Sequence, residues 1–292
     1  MKQSTLAIVL LTSGFSASCF AADFNVGMQC YNSGDFSCAS REWQALADKG
    51  VGQAQYNLAL LYSRGQGTDR DPVKAAQLFE SAANQGLVQA QYNLGLAYLT
   101  GTGVEKNENT AISWFQKAAE LGDPNAADNL GTVLEKQKDY DNAMKWYRKA
   151  ADAGIAEADF NIGSMYDLGK GVQQDSVQAM QWYQKGAELG DGASLCNIAI
   201  LYYNGEGVKM DRAVAYEYLV IAQQAGEPRA ASLMQWVTDK VQKKDKDRAI
   251  LQAQAWVSSH QLRRFISNFS APDAIIEADS KVEPQQQVRA GI

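Results

Sequence analysis

One phrase recurs along this chain at a nearly fixed interval, and it constrains the fold more than any bulk property. Four stretches align: QAQYNLALLYSRGQGT from Gln53, QAQYNLGLAYLTGTGV from Gln89, EADFNIGSMYDLGKGV from Glu157 and ASLCNIAILYYNGEGV from Ala193. Each runs into an alanine-rich phrase: AAQLFESAANQG, AISWFQKAAELG, AMQWYQKGAELG and AYEYLVIAQQAG. The closing glycines are Gly86, Gly122, Gly190 and Gly226, with one more unit closing at Gly154, so the spacings are 36, 32, 36 and 36 residues. A period in this range belongs to repeat architectures. The short unit shows what can be spared. Asn129 to Ala143 is 14 residues where Asn93 to Ala111 is 18, and the residues lost are the G-x-G loop. The same short spacing upstream exposes a degenerate first unit, with Asn25-Val26-Gly27, Ala39 and a closing Gly50. Downstream, Ala230 to Val257 reads as an eroded last unit with Trp236 and Trp256.

Each unit predicts two helices. Ala54, Leu58, Leu61 and Tyr62 share one stripe at helical spacing, as do Ala76, Phe79, Ala82 and Ala83 in the second phrase. A glycine after each phrase suits a left-handed helix cap. A hairpin this small cannot bury its own apolar face, so neighbours must stack to make a core. The expectation is an all-α solenoid.

The pattern A-x-x-N-L-G-x-x-Y-x-x-G-x-G-V followed by A-x-x-W-[FY]-x-K-A-A-x-x-G resembles the Sel1-like repeat, a relative of the tetratricopeptide repeat. Ala90, Asn93, Leu94, Gly95, Tyr98, Gly101, Gly103, Val104, Ala111, Trp114, Phe115, Lys117, Ala118, Ala119 and Gly122 carry it, and the resemblance extends over Asn25 to Pro228. It implies a right-handed superhelical α/α solenoid of Sel1-like, TPR-like hairpins. The units fall at about 23–52, 53–88, 89–124, 125–156, 157–192 and 193–228. Capping helices are expected over 229–269 and a disordered, polar tail over 270–292. The resemblance also implies a function, because the family acts mostly through adaptors and binding scaffolds. Some exported members are immunity-type inhibitors of a toxin or effector. Some cysteine-rich secreted members are linked to β-lactam binding, and this chain has too few cysteines to resemble those closely.

Charge and composition narrow the partner. The net charge of −6 argues against nucleic acid. Lys240, Lys243, Lys244, Lys246 and Arg248 are interleaved with Asp239, Asp245 and Asp247, which reads as a solvated turn. The first 22 residues stand apart: Lys2, an apolar run from Leu6 to Leu11, then Ser16, Ala17, Ser18, Cys19 and a cleavage point at Ala21. That run is too short to span a bilayer, so residues 1–21 are expected to be a signal peptide. A lipidated Cys19 is the lesser reading, since Ser16 stands where a lipobox wants a bulky aliphatic residue. Elsewhere no membrane span is expected, and the mature protein is expected in the periplasm or secreted.

Chemistry is sparse. The G-x-G loops recur between helices rather than between a strand and a helix, so they read as structural turns and not phosphate cradles. The single histidine, His260, lies outside the repeats, which leaves no base for a catalytic triad inside them. No clustered Cys/His set suggests a metal, and neither a cofactor nor catalysis is expected. An enzyme acting on cell-wall or β-lactam substrates is the opposing class. Cys30 and Cys38 face each other across the shortened first hairpin and are expected to form a disulfide; Cys196 is expected to be a free thiol.

The partner is expected to be another protein or an extended peptide, held on the concave face formed by the first helix of each unit. If Ala54, Leu58, Leu61 and Tyr62 face the core, Tyr56 and Leu60 lie opposite them. The equivalent pairs are Tyr92/Leu96, Asp128/Thr132, Phe160/Ser164 and Cys196/Ile200. Such a strip either meets a partner or is buried by neighbouring repeats. An asparagine ladder, Asn25, Asn57, Asn93, Asn129, Asn161 and Asn197, recurs at the edge of the core stripe. Amides can clamp a peptide backbone, as asparagines at the matching place do in tetratricopeptide proteins, or can bond the backbone of an adjacent repeat.

Overall fold

The computed structural model describes residues 17–260, with side chains from Phe24 onward, in two compact units divided between Ala118 and Ala119 in the chain. The expected leader lies outside the described residues except for its last few positions, and the expected tail, with the end of the capping segment, lies wholly outside them.

The first unit holds three helical hairpins: α1 Ala17–Asn32 with α2 Phe36–Ala47, α3 Gly52–Arg64 with α4 Pro72–Asn84, and α5 Val88–Thr100 with α6 Glu108–Glu120. The second holds α7 Pro124–Lys136 with α8 Tyr140–Asp152, α9 Ala156–Leu168 with α10 Ser176–Glu188, and α11 Gly192–Asn204 with α12 Arg212–Gln224. Helices α13 Pro228–Thr238 and α14 Lys243–Ser259 both pack on α12. No strand occurs among the described residues. The chain is an all-α solenoid of hairpins; the odd-numbered helices of α1–α12 are called A helices and the even-numbered ones B helices below.

Local sequence accounts for the helix boundaries. Asp35, Asp71, Asp139, Asp175 and Asp211 cap α2, α4, α8, α10 and α12, each accepting an amide hydrogen bond from the first turn. Helices α3, α5, α9 and α11 end on left-handed glycines, the first of each G-x-G pair. The shortened unit has no such glycine. Its turn passes through Lys138 at φ 65°, the one non-glycine in the left-handed region among the described residues.

The packing has a repeated logic. Ala54, Leu58 and Leu61 are fully buried, and Ala76, Phe79, Ala82 and Ala83 are buried beside them. Gly95, Gly131 and Gly163 lie under the rings of Phe115, Tyr147 and Tyr183, where a Cβ would sit within 2.7 Å of ring carbons. The G-x-G loops are structural, as expected, and they also join hairpins. Gly103 packs onto the backbone of Pro72 and Val73 at the start of α4, and Gly207 onto Ser176 and Val177 at the start of α10. Any side chain at either glycine would collide with that backbone.

Candidate partner-binding face

The A helices are buried around more of their circumference than a single stripe implies. In α3 every residue from Ala54 to Leu61 is buried. Tyr56 and Tyr92 are only 5% and 4% exposed. Their rings lie on the aromatic residue of the B helix in the same hairpin: Tyr56 on Phe79 at 5.8 Å and Tyr92 on Phe115 at 6.0 Å. Phe160 is half-buried against Tyr183 at 5.9 Å. Leu60 and Cys196 are buried as well. The expectation of an outward Tyr56/Leu60 and Tyr92 strip is therefore corrected: these groups belong to the core, because small residues on helix A let the B-helix ring approach.

The accessible stripe lies one position further round. In α5 it runs Gln89, Asn93, Leu96 and Thr100, at i, i+4, i+7 and i+11, all exposed or half-buried. The same register gives Asn125, Asn129, Thr132 and Lys136 in α7, and Ala193, Asn197, Ile200 and Asn204 in α11. Leu96 thus keeps its place on an accessible face, in the company of Asn93 rather than Tyr92.

The asparagines share that register but not one environment. Asn93 donates to the Gln89 carbonyl at 2.8 Å and Asn129 to the Asn125 carbonyl at 3.0 Å, each within its own helix. Asn57 is buried, its Nδ2 3.8 Å from the Met28 sulfur, and it accepts from Gln53 at 3.3 Å. Asn161 is buried and donates to Asp128 at 2.9 Å, linking α9 to α7. The bonds described here run to the same helix's backbone for Asn93 and Asn129 and to side chains for Asn57 and Asn161.

The second unit carries a polar network that sequence reasoning did not anticipate. Asp128 stands where Tyr56, Tyr92 and Phe160 place rings, and it is buried. Beside it, Tyr147 donates to Glu135 at 2.9 Å, and Lys170, the middle residue of a G-x-G loop, pairs with Glu135 at 3.0 Å. One hairpin on, Tyr183 donates to Asp167 at 3.3 Å, but the loop residue in the place of Lys170 is Glu206. Burial raises the Asp167 pKa, the Tyr183 hydrogen bond opposes that, and the Glu206 charge adds to it. The signal was present in the sequence: a carboxylate at an aromatic position.

Cys30 and Cys38 form the expected disulfide, with Cα atoms 5.7 Å apart. Cys196 is a free, buried thiol whose pKa is pushed up to about 12, mainly by burial, which removes the thiolate needed for reactivity. Among the described residues no group of three or more His, Cys, Asp or Glu could hold a metal, and no helix is long and apolar enough to cross a membrane. His260 stacks on Trp256 at 3.9 Å.

Known proteins place this architecture. The Sel1 repeat matches residues 52–87, 88–123, 127–155, 156–191 and 192–226. No curated protein sequence matches the chain. Among solved structures, the chain is similar to a protective antigen present in uropathogenic Escherichia coli strains and displaying an SLR fold, at 28% identity and a TM-score of 0.77. That alignment covers 87% of this chain and only 57% of the antigen, so this chain spans little more than half the length of that relative. A Sel1 repeat protein from Oxalobacter formigenes is 31% identical with a TM-score of 0.66, over 80% of this chain and 99% of that one. Five matched repeats over most of the described helices, each with the hairpin geometry above, show that the chain belongs to the Sel1 repeat family.

Proposed function

We propose that this chain is an exported scaffold that binds another protein, or an extended segment of one, on the accessible stripe of α5. Sel1 repeats commonly serve protein–protein interaction, and that supports binding over catalysis. The observation that carries the reading is the α5 stripe, where half-buried Leu96 lies between Asn93 and Thr100, with Gln89 in line. An apolar group flanked by amides and hydroxyls has the composition of a non-obligate interface: one desolvated contact with polar groups able to pair a peptide backbone. Tyr92 stays in the core, so the face can bind without disturbing the fold.

Purified protein with Asn93→Ala and Leu96→Arg, used as bait in crosslinking pull-down from envelope extract, tests this. The double variant is expected to keep its helical signal and midpoint of thermal unfolding and to lose the partner recovered with the wild type. Recovery at the wild-type level would overturn the assignment of the face. Export is supported by the Cys30–Cys38 disulfide, since such bonds persist in oxidising compartments. Mass spectrometry of the mature protein should find Ala22 at its amino terminus; an uncut, reduced chain in the cytoplasm would overturn export.

A further inference from the structure

Where one hairpin follows another, a buried side chain of the A helix reaches back to the end of the preceding B helix. Gln55 donates from Nε2 to the Ala47 carbonyl at 3.3 Å, and Gln91 does the same to the Ala83 carbonyl at 3.3 Å. Both glutamines are buried, and each carbonyl also accepts from a closing glycine, Gly50 or Gly86, at 2.9 Å. The α8–α9 junction repeats the backbone part of this arrangement. Gly154 donates to the Ala151 carbonyl at 2.9 Å, and the residue in the register of Gln55 and Gln91 is Asp159.

An ionised aspartate has no proton to offer, and it faces the negative end of the α8 dipole. The charged groups around it make matters worse. Lys185 and Glu188 come from α10, Asp191 caps α11 and Asp152 ends α8, so one cation stands against three further anions. Only 4% of Asp159 is exposed, which leaves little water to solvate a charge. The protonated acid, by contrast, carries an O–H that can do what the glutamine N–H does.

We propose that Asp159 is a pH-sensitive clasp between hairpins: protonated, it donates to the carbonyl end of α8 as Gln55 and Gln91 do for their junctions, and ionised it lets that end go. Aspartate is one methylene shorter than glutamine, so the contact closes by drawing α9 toward the end of α8. Burial is the main cause that raises its pKa to about 6, Lys185 partly opposes this, and Asp191, Asp152 and Glu188 add to it. The sign follows from linkage. The folded chain holds a proton that the unfolded chain releases near pH 4, so the junction tightens as pH falls through about 6 and loosens as pH rises through it.

Carboxyl-carbon NMR of the full chain, with amide hydrogen exchange at Gly154 and Ala158 corrected for intrinsic rates, tests the clasp. The Asp159 carboxyl is expected to titrate near pH 6, and protection at those amides to rise about tenfold between pH 7 and pH 5. Asp159→Gln should show high protection at both pH values, while amides at the α2–α3 junction beside Gln55 should not respond in either protein. Titration in the ordinary carboxylate range overturns the proposal, as does protection that ignores the titration or a wild-type pH response in Asp159→Gln. Should Asp159→Gln fail to fold, the wild-type titration and exchange decide alone.

Discussion

Single residues in this array carry constraints that the repeat pattern does not show. Lys138 adopts a left-handed conformation that costs a side-chain-bearing residue about 1 kcal/mol. Lys138→Gly should therefore raise stability by about 0.5–1 kcal/mol in urea unfolding, and no gain would mean that the lysine side chain compensates through contacts of its own. Gly186 and Ser194 make a second case. At most other junctions the corresponding positions are alanine pairs, such as Ala82 with Ala90 and Ala150 with Ala158, the first having Leu46 with Ala54. Here a Cβ on Gly186 would stand 2.5 Å from the Ser194 Oγ, which is buried without a hydrogen-bond partner. Gly186→Ala alone should cost about 1–3 kcal/mol, and Ser194→Ala should restore most of it. A double-mutant cycle in chemical denaturation measures that coupling, and simple additivity would show that the two sites relax independently. The misplacement of Tyr56 and Tyr92 has its origin at this scale too. An apolar stripe separates inside from outside only on a helix with one buried face, whereas α3 is buried at eight successive positions. Periodicity then says which residues are deepest, not which are free.

At the level of the hairpin, the sequence was most legible where backbone chemistry decides. The closing glycines after the B helices and the G-x-G turns between A and B helices marked where helices stop, because a left-handed turn demands glycine, whereas the aspartates that cap the B helices were not singled out. Links between hairpins were less legible, because they join residues such as Asp128 and Asn161 that are far apart in sequence. The paired loops illustrate how one substitution alters such a link. Lys170 meets Glu135, while Glu206 faces Asp167 and helps to raise its pKa. Glu206→Lys should lower the Asp167 pKa in a carboxyl NMR titration and stabilise the second unit by roughly 0.5 kcal/mol, a modest gain because such pairs are partly solvated. The wild type should lose stability as pH rises through the raised Asp167 pKa, since the folded form holds the proton longer. The variant should lose less. An unchanged Asp167 titration would separate the two carboxylates.

Within each unit a hairpin leans on its neighbours, so stability is set by nearest-neighbour junctions rather than by one central core. The first described hairpin, α1–α2, carries the Cys30–Cys38 bond, which closes a short loop worth roughly 2–3 kcal/mol in the chain-entropy account. Reduction, or Cys30→Ser with Cys38→Ser, should make α1–α2 the earliest segment to lose amide protection on heating while α3–α6 persists. Simultaneous loss across the first unit would show that its hairpins melt as one body. The G-x-G seats have a different consequence, one for how such a chain can change its length. Gly103 and Gly207 rest on bare main chain, so the contact carries no address: a loop of this kind can settle on any helix start of the right shape. At those two seats a repeat can be duplicated or dropped without redesigning the glycine contact, whereas Gly171 meets the Tyr140 side chain and is tied to its neighbour. Side-chain junctions such as Gly186 with Ser194 behave oppositely, since they fit only each other, and they mark the neighbours that a shuffled array would have to keep together.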